Sequence, residues 1–164
     1  MIQKIKFGTD GWRAIIAEDF TVENVARVTE ATGIWLKQQY ENPSVIVGHD
    51  CRFAGELFME TAAKVLLAQG IHVKLSRGFV STPMISLAAH QLGCEVGIIL
   101  TASHNPKEYN GYKAYWSDGS QVVAPHDKNI VKEVNAITSI ADIKFEGNDA
   151  LLHLLDGAID EAYL

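Results

Sequence analysis

The sequence predicts an α/β domain built on a mixed β-sheet sandwiched by helices. Short β-branched runs such as Ser44-Val-Ile-Val-Gly48 and Val96-Gly-Ile-Ile-Leu100 have the length and composition of buried strands. Longer stretches with apolar residues at helical spacing alternate with them, the pattern of an α/β chain. Asp118-Gly119, flanked by 111–116 and 121–123, is a strong hairpin signal and predicts that a hairpin closes the sheet at its edge.

Taken in order, Phe7-Gly-Thr-Asp-Gly-Trp-Arg13 is a glycine-punctuated loop, and Arg13-Ala-Ile-Ile16 follows as a short strand. Thr21 to Tyr40 reads as a long helix: Thr21 can cap it, and Val22, Val25, Val28, Thr32 and Trp35 recur near helical spacing. Pro43 closes that stretch. Ser44 to Gly48 is the second strand, ending in the polar His49-Asp-Cys-Arg52. Gly55 to Gln69 is helical, with Leu57, Phe58, Thr61, Ala62, Val65 and Leu66 on one face and Gly70 as its stop. Ile71 to Leu75 is a third strand. Thr82-Pro83 opens a helix that runs to about Leu92, with proline at the first helical position. The strand Val96 to Leu100 leads into a polar loop, and Pro125 to Ile137 is helical. Leu151 to Leu164 reads as the beginning of an amphipathic helix inside which the chain stops, as a cut through a longer protein would leave it. The expected organisation is therefore one domain over residues 1–140, followed by 141–164 as a linker and the start of a helix leading to a second domain.

Composition narrows the function classes. A chain of 164 residues suits one core, and 48% hydrophobic with 21% charged residues is the balance of a soluble globular protein. No apolar run approaches the roughly eighteen residues a bilayer span needs. Met1 to Phe7 lacks the apolar core of a signal peptide, so the expected location is cytoplasmic, without membrane attachment. Cys51 and Cys94 lie in different elements without metal-ligand spacing and read as reduced thiols. The net charge of -6 argues against non-specific nucleic-acid binding. It does not prevent a few local cations from holding a phosphorylated substrate.

The loop Thr101-Ala-Ser-His-Asn-Pro106 carries the chemistry. Ligands collect where the strands of an open α/β sheet end. Ser103 has two readings there: a turn residue that merely supplies hydrogen bonds, or a reacting hydroxyl. His104 supplies an imidazole suited to a phosphate or a reacting hydroxyl. Asn105-Pro106 stiffens the loop, and Asn110-Gly111 allows a backbone reversal that returns Lys113 to the same end of the sheet. A phosphorylated Ser103 would carry about −1.5 to −2 charges and call for such cations or a metal. Arg13 follows Gly8-Thr-Asp-Gly11, whose backbone can approach a ligand closely; it is either a ligand-binding or a surface arginine. Asp50 and Arg52 read as an ion pair or loop brace, and Trp12, Trp35 and Trp116 as packing residues. No Gly-x-Ser-x-Gly elbow, Walker loop or dinucleotide fingerprint occurs. His49, His72, His90, His126 and His153 have no ligand spacing.

Phe7-Gly-Thr-Asp-Gly-Trp-Arg13, Gly48-His-Asp-Cys-Arg52 and Thr101-Ala-Ser-His-Asn-Pro-Lys-Glu-Tyr-Asn-Gly-Tyr-Lys113 together resemble the α-D-phosphohexomutase superfamily, closest to its phosphoglucomutase/phosphomannomutase branch. The resemblance covers nearly the whole chain as the N-terminal domain I of that family. It implies an isomerase of carbohydrate metabolism that interconverts hexose 1-phosphate and hexose 6-phosphate through a phosphoserine and a hexose 1,6-bisphosphate intermediate. Ser103 would carry the phosphoryl group and through it ligate Mg2+. Lys113 would be a proton-transfer partner and His104 would shape the same pocket. Arg13, Thr9, Ser103, His104, Asn105 and Lys113 would meet the substrate, and Asp50 and Arg52 would be architectural.

The same resemblance implies three further domains, supplying an Asp-rich metal loop, a sugar-reading loop and a phosphate clamp. No Asp-x-Asp-x-Asp run occurs here. The expectation is that the 164-residue chain alone lacks useful mutase activity and that its partners are those domains of the parent. A non-catalytic α/β module that binds a sugar phosphate or a partner protein is the alternative, and a phosphatase using Ser103 ranks behind both.

Overall fold

A computed structural model describes residues 4–8 and 11–164. Its elements are β1 (Trp12–Ile15), α1 (Val22–Gln39), β2 (Ser44–His49), α2 (Gly55–Ala68), β3 (His72–Phe79), α3 (Thr82–Gln91), β4 (Val96–Leu100), β5 (Tyr109–Trp116), α4 (His126–Ala136), β6 (Leu152–Leu154) and α5 (Ala158–Tyr163). The strands form one six-stranded sheet in the order β1-β5-β4-β2-β3-β6. β4, β2, β3 and β6 run parallel, whereas β5 is antiparallel to both β4 and β1.

Alternation along the strands divides the core between two faces. Val45, Val47, Ile98, Leu100 and Tyr112 join Val28 and Trp35 of α1 and Phe58 and Leu66 of α2 on one face. Ile46 and Ile99 point the other way, onto Ile85, Ala88 and Ala89 of α3. Burial on both faces is why β2 and β4 read as unbroken apolar runs. The mixed sheet between helical layers agrees with the expected fold class.

Local signals act where the sequence places them. Thr21 accepts a hydrogen bond from the Asn24 amide at 3.2 Å and starts α1. Ser81 caps α3 through the Met84 amide, with Pro83 in the first turn. Gly70, at φ 77°, ends the turn after α2 in the left-handed region.

Two elements differ from expectation. The Asp118-Gly119 turn forms, with Trp116 N–H donating to Ser120 O at 2.7 Å and Gly119 at φ 81°. However, 121–123 is no strand: it makes a bridge, Tyr115 with Gln121, and a hydrogen bond from Val122 N–H to Ala114 O at 2.9 Å. The reason is occupancy: β1 already covers the outer edge of β5 from Tyr109 to Tyr112, leaving only its last residues open. Proline at 125 then forbids further pairing. β1, rather than the hairpin, therefore closes that side of the sheet.

The second difference is at the opposite edge. Leu152–Leu154 does not start a helix; it pairs parallel with β3, Val73 opposite Leu152 and Leu75 opposite Leu154. A short leucine-rich run has no decisive period, and the open edge of β3 supplies the partner that settles it. Helix resumes only at Ala158.

Candidate active site

β2 and β4 are parallel neighbours with His49 opposite Leu100, so the segments that leave their carboxyl ends emerge side by side. This pairing brings 50–52 next to 101–106. Asp50 N–H donates to Leu100 O at 3.2 Å. The Thr101 hydroxyl donates to Asp50 Oδ2, and Thr101 Oγ1 accepts from the Ser103 amide at 3.1 Å. Asp50 Oδ1 in turn accepts from the Arg52 amide at 2.9 Å, and Arg52 Nε stands 3.6 Å from Asp50 Oδ2.

Held in this way, the Arg52 guanidinium grips the serine loop. Nη2 donates to Ser103 O at 2.8 Å and Asn105 O at 2.7 Å. Nη1 donates to Pro106 O at 2.8 Å and Tyr109 O at 2.9 Å. One side chain therefore satisfies four main-chain carbonyls from both limbs of the loop. The brace expected from Asp50 and Arg52 is present, but its main object is the loop rather than the carboxylate.

Ser103 sits at the head of that loop, exposed, with φ at 54°. A non-glycine residue in this region is strained by its Cβ, and the grip on the carbonyls is what holds it there. The following residues turn back through Asn105 N–H to Ala102 O at 3.0 Å and Tyr109 N–H to Pro106 O at 3.0 Å. The reversal thus lies at 106–109, not at Asn110-Gly111.

Asn110 and Gly111 serve a different purpose. Both are inside β5 and buried. Asn110 Oδ1 accepts from the Gly111 amide at 2.8 Å. A Cβ on Gly111 would meet Thr101 O at 2.4 Å and Trp12 O at 3.0 Å. Glycine is required because the segment after β4 and the strand β1 both close on β5 at this point, and Gly111 lies opposite Arg13 in the β1 register.

Arg13 projects from β1 to donate to Asn105 Oδ1 at 2.6 Å, which ties the first motif to the serine loop. Lys113 is buried within β5 opposite Ile99. A Cβ on Gly11 would meet its Cγ at 3.2 Å and Tyr112 O at 2.3 Å, and Gly11 holds φ at 86°. Gly11 therefore packs directly against Lys113. His104 is exposed on the turn beside Ser103. Thr9 lies outside the described residues.

Ser103, Asn105 and Arg13 thus stand together, with Thr101, Asp50 and Arg52 beneath them. Sequence reasoning does not single out Thr101 or Gly111 as site residues. Position immediately after a buried strand is the available signal for Thr101. Gly111 gives none, because the contacts that demand a glycine come from Thr101 O and from β1, which only the folded sheet brings against it.

Among the described residues no three His, Cys, Asp or Glu side chains converge in a way that could hold a metal ion. The carboxylate at this site, Asp50, is engaged by Thr101 and Arg52. These residues do not by themselves make a Mg2+ site. No helix among the described residues is long and apolar enough to cross a membrane.

Known proteins resemble the chain in sequence and in fold. Residues 4–141 match the family model for phosphoglucomutase/phosphomannomutase, alpha/beta/alpha domain I. The chain is 37% identical over 140 residues to a phosphoribomutase of Saccharomyces cerevisiae, covering 81% of this chain and 22% of that one. It is 35% identical over 141 residues to a mouse glucose 1,6-bisphosphate synthase, covering 79% and 23% respectively. Among solved structures, a Thermus thermophilus chain described as a phosphomannomutase superposes with a TM-score of 0.88 at 35% identity, covering 99% of this chain and 35% of that one. The chain therefore spans between about a fifth and a third of the length of these relatives. With the family model matched over most of its length, the chain belongs to the phosphoglucomutase/phosphomannomutase family, as its α/β/α domain I.

Proposed function

We propose that this chain is the catalytic-serine domain of an intramolecular phosphotransferase that interconverts hexose 1-phosphate and hexose 6-phosphate. The observation that carries the proposal is Ser103 itself: an exposed hydroxyl on a strained residue, held in place through four carbonyls by Arg52, at the carboxyl ends of adjacent parallel strands. A turn serine with no further role has no need of such a frame.

In this reading Ser103 rests as phosphoserine. The P–Oγ bond breaks as a free hydroxyl of the bound sugar phosphate forms a new P–O bond to the same phosphorus. The hydroxyl's proton passes to Lys113 in its neutral amine form, and the departing Ser103 Oγ takes up a proton from solvent, so that one proton is removed and one supplied. The hexose 1,6-bisphosphate so formed turns over, and its other phosphoryl group returns to Ser103 by the reverse steps. Positioning supplies much of the rate in such transfers. Arg13, Thr9, His104 and Asn105 make up the rest of the substrate-binding set. Arg13 is already directed at the loop through Asn105.

The Ser103 phosphate would give Mg2+ one oxygen ligand, neutralising charge on the phosphoryl group. Its remaining ligands must come from outside these residues, and none of the steps above depends on it. Residues 1–140 form the unit that carries the loop, and 141–164 lead across the sheet edge towards further domains of the parent, which works in the cytoplasm. Relatives named for ribose and glucose phosphates support a phosphosugar substrate.

The test is Ser103→Ala in the full-length protein that carries this domain, assayed for conversion of glucose 1-phosphate to glucose 6-phosphate. Turnover is expected to vanish while the fold persists. Retained turnover would overturn the proposal and favour a non-catalytic module.

A further inference from the structure

We infer that Arg52 is a positioning residue for phosphoryl transfer, acting by setting the direction of the serine loop's peptide groups as well as its place. The inference rests on the Ser103 reading above.

Arg52 draws the carbonyls of Ser103 and Pro106 to one side of the loop. The only cis peptide bond among the described residues is Ala124–Pro125, so the Ser103–His104 and Pro106–Lys107 peptides are trans. In a trans peptide the N–H points opposite to its C=O. The amides of His104 and Lys107 are thereby turned away from Arg52. Neither amide donates to an acceptor among the described residues, in contrast to those of Ser103, Asn105 and Tyr109. Outward backbone donors beside an exposed serine suit the oxygens of a phosphoryl group.

The cation sits on the carbonyl side and stabilises the inward ends of the same peptide dipoles. Asp50 fixes the cation through the Arg52 amide and the Nε contact, and Thr101 links the carboxylate to the Ser103 amide. Losing the guanidinium would leave four carbonyls without their donor and let Ser103 relax from its strained backbone. Arg13 stands on β1, outside the gripped loop, and would remain to bind substrate. The signature is a change in kcat rather than in KM.

The experiment compares full-length wild type, Arg52→Met, Arg52→Lys and Ser103→Ala. Arg52→Met should lose about a hundredfold in kcat, the scale of a small misplacement of reacting groups, with KM within about twofold. Added guanidinium ion should restore part of that loss. In amide-resolved NMR, phosphorylating Ser103 should move the His104 and Lys107 amide resonances downfield in wild type and markedly less in Arg52→Met. If Arg52→Met does not fold, Arg52→Lys, which keeps the charge but loses the fork, must show the same kcat-specific loss in milder form. Unchanged kcat in a folded variant, equal damage to KM, or amide shifts indifferent to residue 52 would each overturn the inference. Turnover by Ser103→Ala would instead overturn the reading beneath it, so the two failures are distinct.

Discussion

The Arg52 Nη2 atom donates to the Ser103 carbonyl oxygen at 2.8 Å across a sequence separation of 51 residues. That bond joins the ends of two parallel strands and holds Ser103 at φ 54°. The position proposed to carry the phosphoryl group is thereby held in the left-handed region. A residue with no Cβ relieves the strain, which gives a measurement independent of catalysis.

Ser103→Gly should be more stable than Ser103→Ala by about 1 kcal/mol, the cost of a Cβ in the left-handed region. Paired urea titrations with equal m-values check it. Equal midpoints would mean that Ser103 is not held in that conformation in solution.

Gly111→Ala tests the meeting of β1, β5 and the Thr101 segment. A methyl group 2.4 Å from Thr101 O and 3.0 Å from Trp12 O must push backbone aside. Overpacking of this kind costs about 1–3 kcal/mol. The damage should fall on the serine loop and β1 together, and hydrogen exchange should report faster exchange at Thr101 and Arg13 than in wild type. A variant as stable as wild type, with unchanged exchange, would contradict the register.

Tyr112 gives a pH dependence. Burial pushes its hydroxyl up to about 12 from an ordinary 10.0, against the opposing hydrogen bonds from Thr29 and Thr32. The folded state therefore holds the proton more tightly than the unfolded chain. Its contribution is fully present below about pH 10 and is lost as pH rises towards 12. Unfolding free energies at about pH 9 and about pH 11 should fall less in Tyr112→Phe than in wild type. An identical alkaline loss in both would show that Tyr112 is not the group responsible.

Much of this arrangement is legible in the chain itself. The apolar runs of β2 and β4, the Thr21 cap and the proline opening α3 are local signals, and local signals survive tertiary context. The serine loop is legible for the same reason, as an abrupt polar sequence after a buried strand. What cannot be read is the identity of partners across the sheet. Residues 121–123 have strand composition but find β5 covered by β1, and Leu152–Leu154 have ambiguous periodicity but find β3 open. The same limit conceals the grip of Arg52 on the loop carbonyls. Its ion pair with Asp50 is local, whereas its four acceptors lie more than fifty residues away.

The most direct test follows a labelled phosphoryl group. Full-length dephosphorylated protein is incubated with glucose 1,6-bisphosphate carrying radioactive phosphorus, quenched, digested and mapped. The account predicts label on the peptide containing Ser103, and its loss to added glucose 1-phosphate at a rate matching turnover. Label on another residue, or on Ser103 but immobile during turnover, would contradict it.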